Sequence, residues 1–188
     1  MTAKFLQLMS SDTSRAMQAD SGSRTTYAAM EGRAGESHDV LTPNEVAFIE
    51  ARDSFYMATV TPDGWPYVQH RGGPKGFLRC LGSRRIGFAD FRGNRQYMSA
   101  GNLAESNRVA LIMLDYVARR RLKLVGHASR VTAADDEGTV RQLMPEGHKA
   151  MPEAAVVIDV VAFDWNCPQH ITQRWTAAEI EQIVENEQ

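Results

Sequence analysis

Seven short segments of the chain have the apolar patterning of β-strands, and turn residues separate them. These segments are residues 55–60, 65–71, 77–81, 85–91, 108–116, 120–131 and 154–165. The last segment is rich in valine and largely apolar, which predicts a central strand covered on both faces. Strands and helices do not alternate regularly, which disfavours a doubly wound fold. The pattern predicts a mostly β fold with peripheral helices, in which six or seven antiparallel strands form a barrel.

Helical patterns lie between and after the strands, near residues 43–52, 96–104, 135–144 and 176–185. Thr42 and Glu45 have the spacing of a capping box, and the proline between them suits the first helical position. Thr176 and Glu179 repeat that spacing before the last helical pattern. These two pairs predict where the first and the last of these helices begin.

The N-terminal part of the chain differs in composition from the rest. Residues 10–39 are rich in serine, glycine, alanine, threonine and aspartate, and apolar side chains are sparse there. Such a segment buries too little apolar surface to offset the entropy lost on ordering. We expect residues 1–40 to be an extension that is flexible or drapes over a partner, and residues 41–188 to form the folded domain.

Composition and charge argue against several classes of protein. The net charge of the 188 residues is −2, so no overall basic field favours nucleic acid. No segment approaches the ~20 apolar residues of a membrane span, and no secretory signal is visible. Cys80 and Cys167 lie far apart, and the histidines lack the spacing of metal ligands. We expect a cytoplasmic protein with no metal, no membrane contact and no nucleic-acid partner.

Residues 85–96 carry the strongest chemical signal. An apolar strand ends in a Gly-Asn turn, and Arg95 and Gln96 follow at the start of a predicted helix. Backbone N–H groups at a helix start, with a guanidinium beside them, favour an anion such as a phosphate. A second polar strand, residues 69–72, precedes this stretch by about 20 residues and ends in glycine.

Three motifs, in this order, resemble the pyridoxamine 5'-phosphate oxidase-like FMN-binding split-barrel family. They are residues 69–71 (QHR), 88–96 (FADFRGNRQ) and 121–128 (RLKLVGHA). The closing stretch 163–174 (FDWNCPQHITQR) resembles one branch of that family, the predicted flavin-nucleotide-binding proteins. The resemblance covers roughly residues 41–175.

The resemblance implies FMN as cofactor and a homodimer with two sites, each built from both subunits. The cofactor contacts that it implies fall at Gln69, His70, Arg71, Gly72, Ala89, Asp90, Arg95, Gln96, Arg121, Trp165 and Arg174. Arg95 and Gln96 correspond to the phosphate clamp, where the family commonly has Arg-Lys. Arg121 corresponds to a position that often reaches into the partner subunit's site. Trp165 and Arg174 resemble the late residues that close over the flavin.

An FMN site of this kind predicts an oxidoreductase that passes hydride or electrons between FMN and a small-molecule substrate, donor or acceptor. Pyridoxamine-phosphate oxidation is not expected, because residues 170–174 (HITQR) depart from the Arg-x-His pair that accompanies it in the family. A non-catalytic flavin carrier or redox sensor is the alternative. Related split barrels bind F420 or haem, and His70 or His170 would be the haem ligand. No residue is nominated as catalytic.

Overall fold

The computed structural model describes residues 2–33, 39–93, 95–147, 152–166 and 169–186. Within these ranges seven strands form one antiparallel sheet, with the order β2-β1-β5-β6-β7-β4-β3. The strands are β1 (Ser54–Val60), β2 (Pro66–Gly72), β3 (Leu78–Gly82), β4 (Arg85–Asp90), β5 (Arg108–Asp115), β6 (Arg120–Thr132) and β7 (Ala154–Asn166). The predicted mostly β architecture with peripheral helices is confirmed. The valine-rich segment is β7, which pairs with β6 on one side and β4 on the other.

Helices surround the sheet. They are α1 (Ala3–Met9), α2 (Asp12–Asp20), α3 (Arg24–Glu31), α4 (Pro43–Glu50), α5 (Met98–Glu105), α6 (Ala133–Gln142) and α7 (Ala177–Asn186). The last four overlap the predicted helices. Both predicted capping pairs are formed, because the Glu45 carboxylate accepts from the Thr42 N–H at 3.0 Å and the Glu179 carboxylate accepts from the Thr176 N–H at 2.8 Å. No helix in the described ranges has the length and apolar character needed to cross a membrane.

The N-terminal segment contains three helices that the pattern of apolar residues did not indicate. In α1, Phe5 packs against Val125 of β6 and against β7. The Thr2 N–H donates to the buried carboxylate of Asp164 at 2.9 Å, which fixes α1 on the sheet. α2 and α3 bury no residue, and α3 packs on α1 and α2. The Ser11 hydroxyl caps α2 by accepting from the Ser14 N–H, which favours this helix although it lacks a large apolar face. The domain boundary near residue 41 and a contact with a partner stay predictions.

Aromatic packing shows that the sheet curls into a barrel. Phe55 on β1 lies edge-to-face against Phe88 on β4, with 5.3 Å between ring centroids. Phe77 stacks on the same Phe55 ring at 5.7 Å. Because β1 and β4 are not neighbours in the hydrogen-bonded order, these contacts require the two ends of the sheet to approach each other. Among the described residues the edge strand β2 does not pair with β4, and the candidate site lies in the opening between these two strands.

Candidate functional site

A groove runs along the opening between β2 and β4 and consists of two adjoining depressions. Both are lined by Arg71, Asp90 and Phe91. The first continues to the loop before α5 and is lined also by Gln69, Arg95, Gln96, Tyr97, Ser99 and Glu153. The second has a volume of ≈ 320 Å³ and is lined also by His70, Gly72, Gly73, Phe77, Phe88 and Ala89. We call the two together the β2–β4 groove.

Strand alternation divides the polar motif of β2 between the two depressions. Gln69 is half-buried and lines the first, whereas His70 and Gly72 are more exposed and line the second. The ring of His70 lies edge-to-face against Tyr56 on β1, with centroids 5.4 Å apart. The Gln69 side chain is fixed by α5, because the Ser99 hydroxyl donates to its Oε1 at 2.8 Å.

Arg71 and Asp90 form the ion pair at the junction of the two depressions. Nη1 of Arg71 lies 3.1 Å from the carboxylate of Asp90, and Arg130 approaches the same carboxylate at 3.6 Å. The Arg71 guanidinium also lies 5.6 Å from the centroid of the Phe88 ring. The Nε groups of Arg71 and Arg130 are buried and have no hydrogen-bond partner among the described residues. Of these two residues only Arg71 lines the groove, so its Nε–H is the buried donor that a ligand with acceptor atoms could satisfy.

The loop between β4 and α5 has an unusual backbone. Arg95 and Tyr97 adopt left-handed conformations, with φ of 60° and 50°. Neither residue is glycine, so this conformation costs energy, and such strain occurs preferentially at ligand sites. Tyr97 is the N-cap of α5 but makes no side-chain cap hydrogen bond. The Tyr97 side chain therefore does not satisfy the first N–H groups of α5, which lie close to Arg95 in the lining of the groove.

Glu153 lines the groove, although the sequence did not predict it as a site residue. Its carboxylate accepts from the Tyr97 hydroxyl at 3.3 Å and lies 3.8 Å from Nε of Arg92 and 3.7 Å from Arg130. Its backbone N–H donates to the carbonyl of Asp90 at 2.9 Å. Glu153 thus ties the loop before α5 to β4 and β6. No local pattern indicates this role, because the contacts join residues that are distant in the sequence.

The second depression has both polar and aromatic residues in its lining and has little room around its glycines. Phe77, Phe88 and Phe91 supply aromatic surface. A Cβ added to Gly73 would lie 2.7 Å from the Phe77 ring, so the backbone and this ring are in close contact. A flat apolar ligand could lie against such a surface, with polar groups at the β2 end.

Three predicted site residues, Arg121, Trp165 and Arg174, do not line the β2–β4 groove of their own chain. Nε1 of Trp165 donates to Glu45 at 2.7 Å, and its ring packs edge-to-face on Phe48. Nε of Arg121 is buried and has no hydrogen-bond partner among the described residues. The Arg174 guanidinium lies 5.0 Å from the centroid of the Tyr116 ring, near the β5–β6 turn. A flavin contact of these three side chains stays a prediction.

The other eight predicted residues come together in the groove. They are Gln69, His70, Arg71, Gly72, Ala89, Asp90, Arg95 and Gln96. The asparagine of the Gly-Asn turn and Cys167 lie outside the described residues. The alternative haem ligand His170 is exposed and lines neither depression.

The buried carboxylate of Glu45 and the partly buried thiol of Cys80 lie outside the groove. Burial alone would raise the pKa of Glu45, but hydrogen bonds from Thr42, Trp165 and Asn44 together hold its pKa below the usual value. Burial, with a smaller effect of nearby Glu50, raises the pKa of the Cys80 thiol to about 12. Cys80 is therefore protonated and unreactive near neutral pH. Among the described residues, no group of three or more His, Cys, Asp or Glu could hold a metal ion.

Comparison with known families assigns the chain to a class. The family model of pyridoxamine 5'-phosphate oxidase matches residues 41–164, which include every strand of the sheet except the end of β7. The chain therefore belongs to the pyridoxamine 5'-phosphate oxidase family. No curated protein matches the sequence.

Solved structures agree with this fold. HupZ of Group A Streptococcus superposes with a TM-score of 0.54 at 15% identity, over 72% of this chain and 100% of its own. A candidate pyridoxamine 5'-phosphate oxidase from Lactobacillus delbrueckii superposes with a TM-score of 0.52 at 18% identity, over 69% of this chain and 97% of its own. At such low identity these likenesses show the shared fold only.

Proposed function

We propose that this chain is an FMN-binding flavoprotein that holds its cofactor in the β2–β4 groove of a homodimer and acts as an oxidoreductase. One observation is the main support for the proposal. A loop suited to an anion and a depression lined by aromatic residues adjoin each other in one continuous groove. Family membership supports a flavin as the ligand. FMN has the two parts that such a groove would take, a phosphate dianion and a flat ring.

The phosphate would bind at the loop before α5. Arg95 provides a fixed positive charge there, and the N-terminus of α5, which the Tyr97 side chain does not cap, provides N–H donors and the positive end of the helix dipole. Left-handed residues such as Arg95 and Tyr97 turn successive N–H groups toward one side, which suits an oxyanion. Gln96, also at this loop, would add a neutral donor.

The ring would lie in the aromatic depression beside β2. The unpaired Nε of Arg71 supports this assignment, because flavin rings carry acceptor atoms along the pyrimidine edge. A cation near that edge favours the anionic reduced flavin, and FMN when bound supplies hydride or single-electron transfer. The residues of this chain would orient the ring, exclude water from one of its faces and set its reduction potential.

A second subunit would complete the site. The β1–β2 hairpin beside the groove leaves apolar side chains exposed, namely Tyr56, Trp65 and Val68, at 39%, 74% and 60%. Exposed apolar clusters of this kind mark interaction surfaces. The groove is also open to solvent, and a partner that covers it would strengthen every charge contact inside. Arg121, Trp165 and Arg174 would act on the cofactor only across such an interface.

Calorimetric titration of the ligand-free full-length chain tests the proposal. We expect FMN to bind and riboflavin, which lacks the phosphate, to bind about 10- to 100-fold more weakly. The absence of FMN binding in this titration would refute the proposed function. Anaerobic mixing of the FMN-loaded protein with NADH or NADPH then tests the oxidoreductase assignment. Loss of the flavin absorbance would support an enzyme, and an unchanged spectrum with both donors would favour a flavin carrier.

A further inference from the structure

The C-terminal helix α7 carries an apolar stripe that no described residue of its own chain covers. Ile180, Ile183 and Val184 are spaced to share one side of the helix and are 52%, 45% and 50% exposed. No residue of α7 is buried. The remaining surface of the helix carries Glu179, Glu181, Glu185 and no basic residue. A solvated helix gains nothing from such a stripe, so the pattern is typical of a helix that packs on a partner.

A complementary surface lies on the outer face of the sheet, where α1 leaves β1, β5 and β6 uncovered. It is a groove of ≈ 400 Å³ that we call the outer groove. Its apolar lining includes Leu8, Met9, Ala58, Val60, Ala110 and Val125. Leu8 and Met9 are each about half exposed at its rim. This groove is separate from the β2–β4 groove, since the two share no lining residue.

Charge on the rim of the outer groove matches charge on the helix. Arg108 and His127 line the groove and are exposed. Within the described ranges Arg108 makes no ion pair. The helix brings three glutamates and no compensating cation. An acidic helix with an aliphatic stripe therefore complements an aliphatic groove that carries the Arg108 guanidinium at its rim.

We infer that α7 of one subunit docks into the outer groove of a second copy of this chain. The segment before α7 is held at the β5–β6 turn, where Gln173 donates to the carbonyl of Val117 at 2.8 Å. The outer groove surrounds Ala110, about 23 Å away along β5 at ~3.3 Å per residue. With Gln173 held, Ile180 at the start of the stripe reaches about 16 Å and Val184 at its end about 22 Å, counting extended residues and the helical rise. The whole stripe therefore cannot lie over Ala110 of its own chain, whereas a second copy can seat all of it. This inference rests on the proposed homodimer.

Cross-linking of two singly substituted chains tests the docking. One chain carries Ile183→Cys and the other carries Ala110→Cys, both with Cys167→Ser. Cys80 is kept, because its raised pKa of about 12 leaves it unreactive. The two chains are refolded together and oxidised, with the mass and FMN binding of each preparation measured first. We expect a covalent two-chain species from the mixture and none from either variant alone.

A control on the opposite side of α7 makes the result specific. Gln182 lies about 160–200° around the helix from the stripe residues Ile180 and Val184, so Gln182→Cys is expected not to cross-link to Ala110→Cys. In addition, Ile183→Glu is expected to raise the dimer dissociation constant at least tenfold, and Gln182→Glu to leave it unchanged.

Two results would overturn the inference. The first is a chain that carries both Ile183→Cys and Ala110→Cys and forms only an intramolecular disulfide, at a rate that does not depend on protein concentration. The second is a protein that is dimeric by mass and binds FMN but shows no Ile183–Ala110 cross-link. A monomer that binds no FMN would instead refute the proposed function itself.

Discussion

Arg71 on β2 and Asp90 on β4 form an ion pair of 3.1 Å across the opening of the barrel. The two strands are five positions apart in the sheet order, and in a flat sheet about 24 Å would separate them at ~4.8 Å per step. The ion pair therefore exists only because the sheet curls. It also sets the charge of the groove, because Asp90 neutralises part of Arg71 and leaves its Nε unpaired among the described residues.

A double-mutant cycle measures the strength of this pair. Both side chains are about four-fifths buried, with 20% and 18% of the side chain exposed. We expect Arg71→Ala and Asp90→Ala to destabilise the fold and their coupling energy to be about 1–3 kcal/mol, from urea unfolding at neutral pH. The exposed pair of Arg141 and Glu137 is the control, and its coupling is expected to stay below about 0.5 kcal/mol. Equal coupling in both pairs would contradict the structural role assigned to Arg71 and Asp90.

Arg95→Ala tests the phosphate assignment. Loss of a charge-assisted contact is expected to weaken FMN binding by about 1.5–3 kcal/mol in calorimetry. Riboflavin binding should not change, since riboflavin lacks the phosphate. Arg141→Ala removes an arginine that lies outside the groove and serves as the matched control. An Arg95 variant with wild-type affinity for FMN would remove this residue from the site.

Trp165→Phe tests the contact between the indole and Glu45. The substitution keeps an aromatic ring against Phe48 but removes the N–H donor to a buried carboxylate. We expect the free energy of unfolding to fall by about 1–3 kcal/mol. FMN titration of the same folded variant tests the predicted flavin contact of Trp165, because only a cofactor role would also lower the FMN affinity. Unchanged stability would show that the indole hydrogen bond contributes little.

Ionisation of Glu45 makes the stability of the fold depend on pH in the acidic range. Its pKa is lower in the folded chain than its usual value of about 4.3, so ionised Glu45 stabilises the fold at neutral pH. That contribution is fully present above the unfolded pKa and is lost as the pH falls through the folded pKa. We expect Glu45→Gln to be less stable than the wild type at pH 7 and the difference to shrink below about pH 4. Unfolding curves at pH 7, 5 and 3.5 measure this, and a constant difference would contradict it.

Gly126 is expected to tolerate no side chain. It lies at the register shift between β6 and β7, and an added Cβ would meet the carbonyl oxygen of Asp159 at 2.5 Å and the Ile158 side chain at 2.8 Å. Gly126→Ala should therefore destabilise the fold by about 1–3 kcal/mol. Gly101→Ala in α5 is the control, because nothing lies within 4 Å of its added Cβ. That substitution should stabilise the helix by up to about 1 kcal/mol, and a Gly126 variant as stable as the Gly101 variant would contradict the crowding.

The candidate site was predictable where chemistry and local chain geometry coincide. The loop with Arg95 follows an apolar strand and precedes a helix, and both elements are visible in the pattern of apolar residues. The polar strand with Gln69 and Arg71 is likewise visible from its neighbours in the chain. Glu153 was not predictable, because its contacts with Tyr97, Arg92 and Arg130 depend on three elements that meet only in the barrel.

The sequence by itself determined the seven strands, the capped starts of α4 and α7, and the loop between β4 and α5 that carries Arg95. Each of these depends on side chains that are neighbours in the chain, where alternation, capping and turn preferences act. Tertiary structure decided which strands border the groove, that Arg71 pairs with Asp90, and that Trp165 turns to Glu45 instead of the groove of its own chain. It also decided the position of α1, because the Phe5 side chain of this helix is buried only by packing on β6 and β7. Contacts between distant segments depend on closure of the whole sheet, and no local pattern encodes that closure.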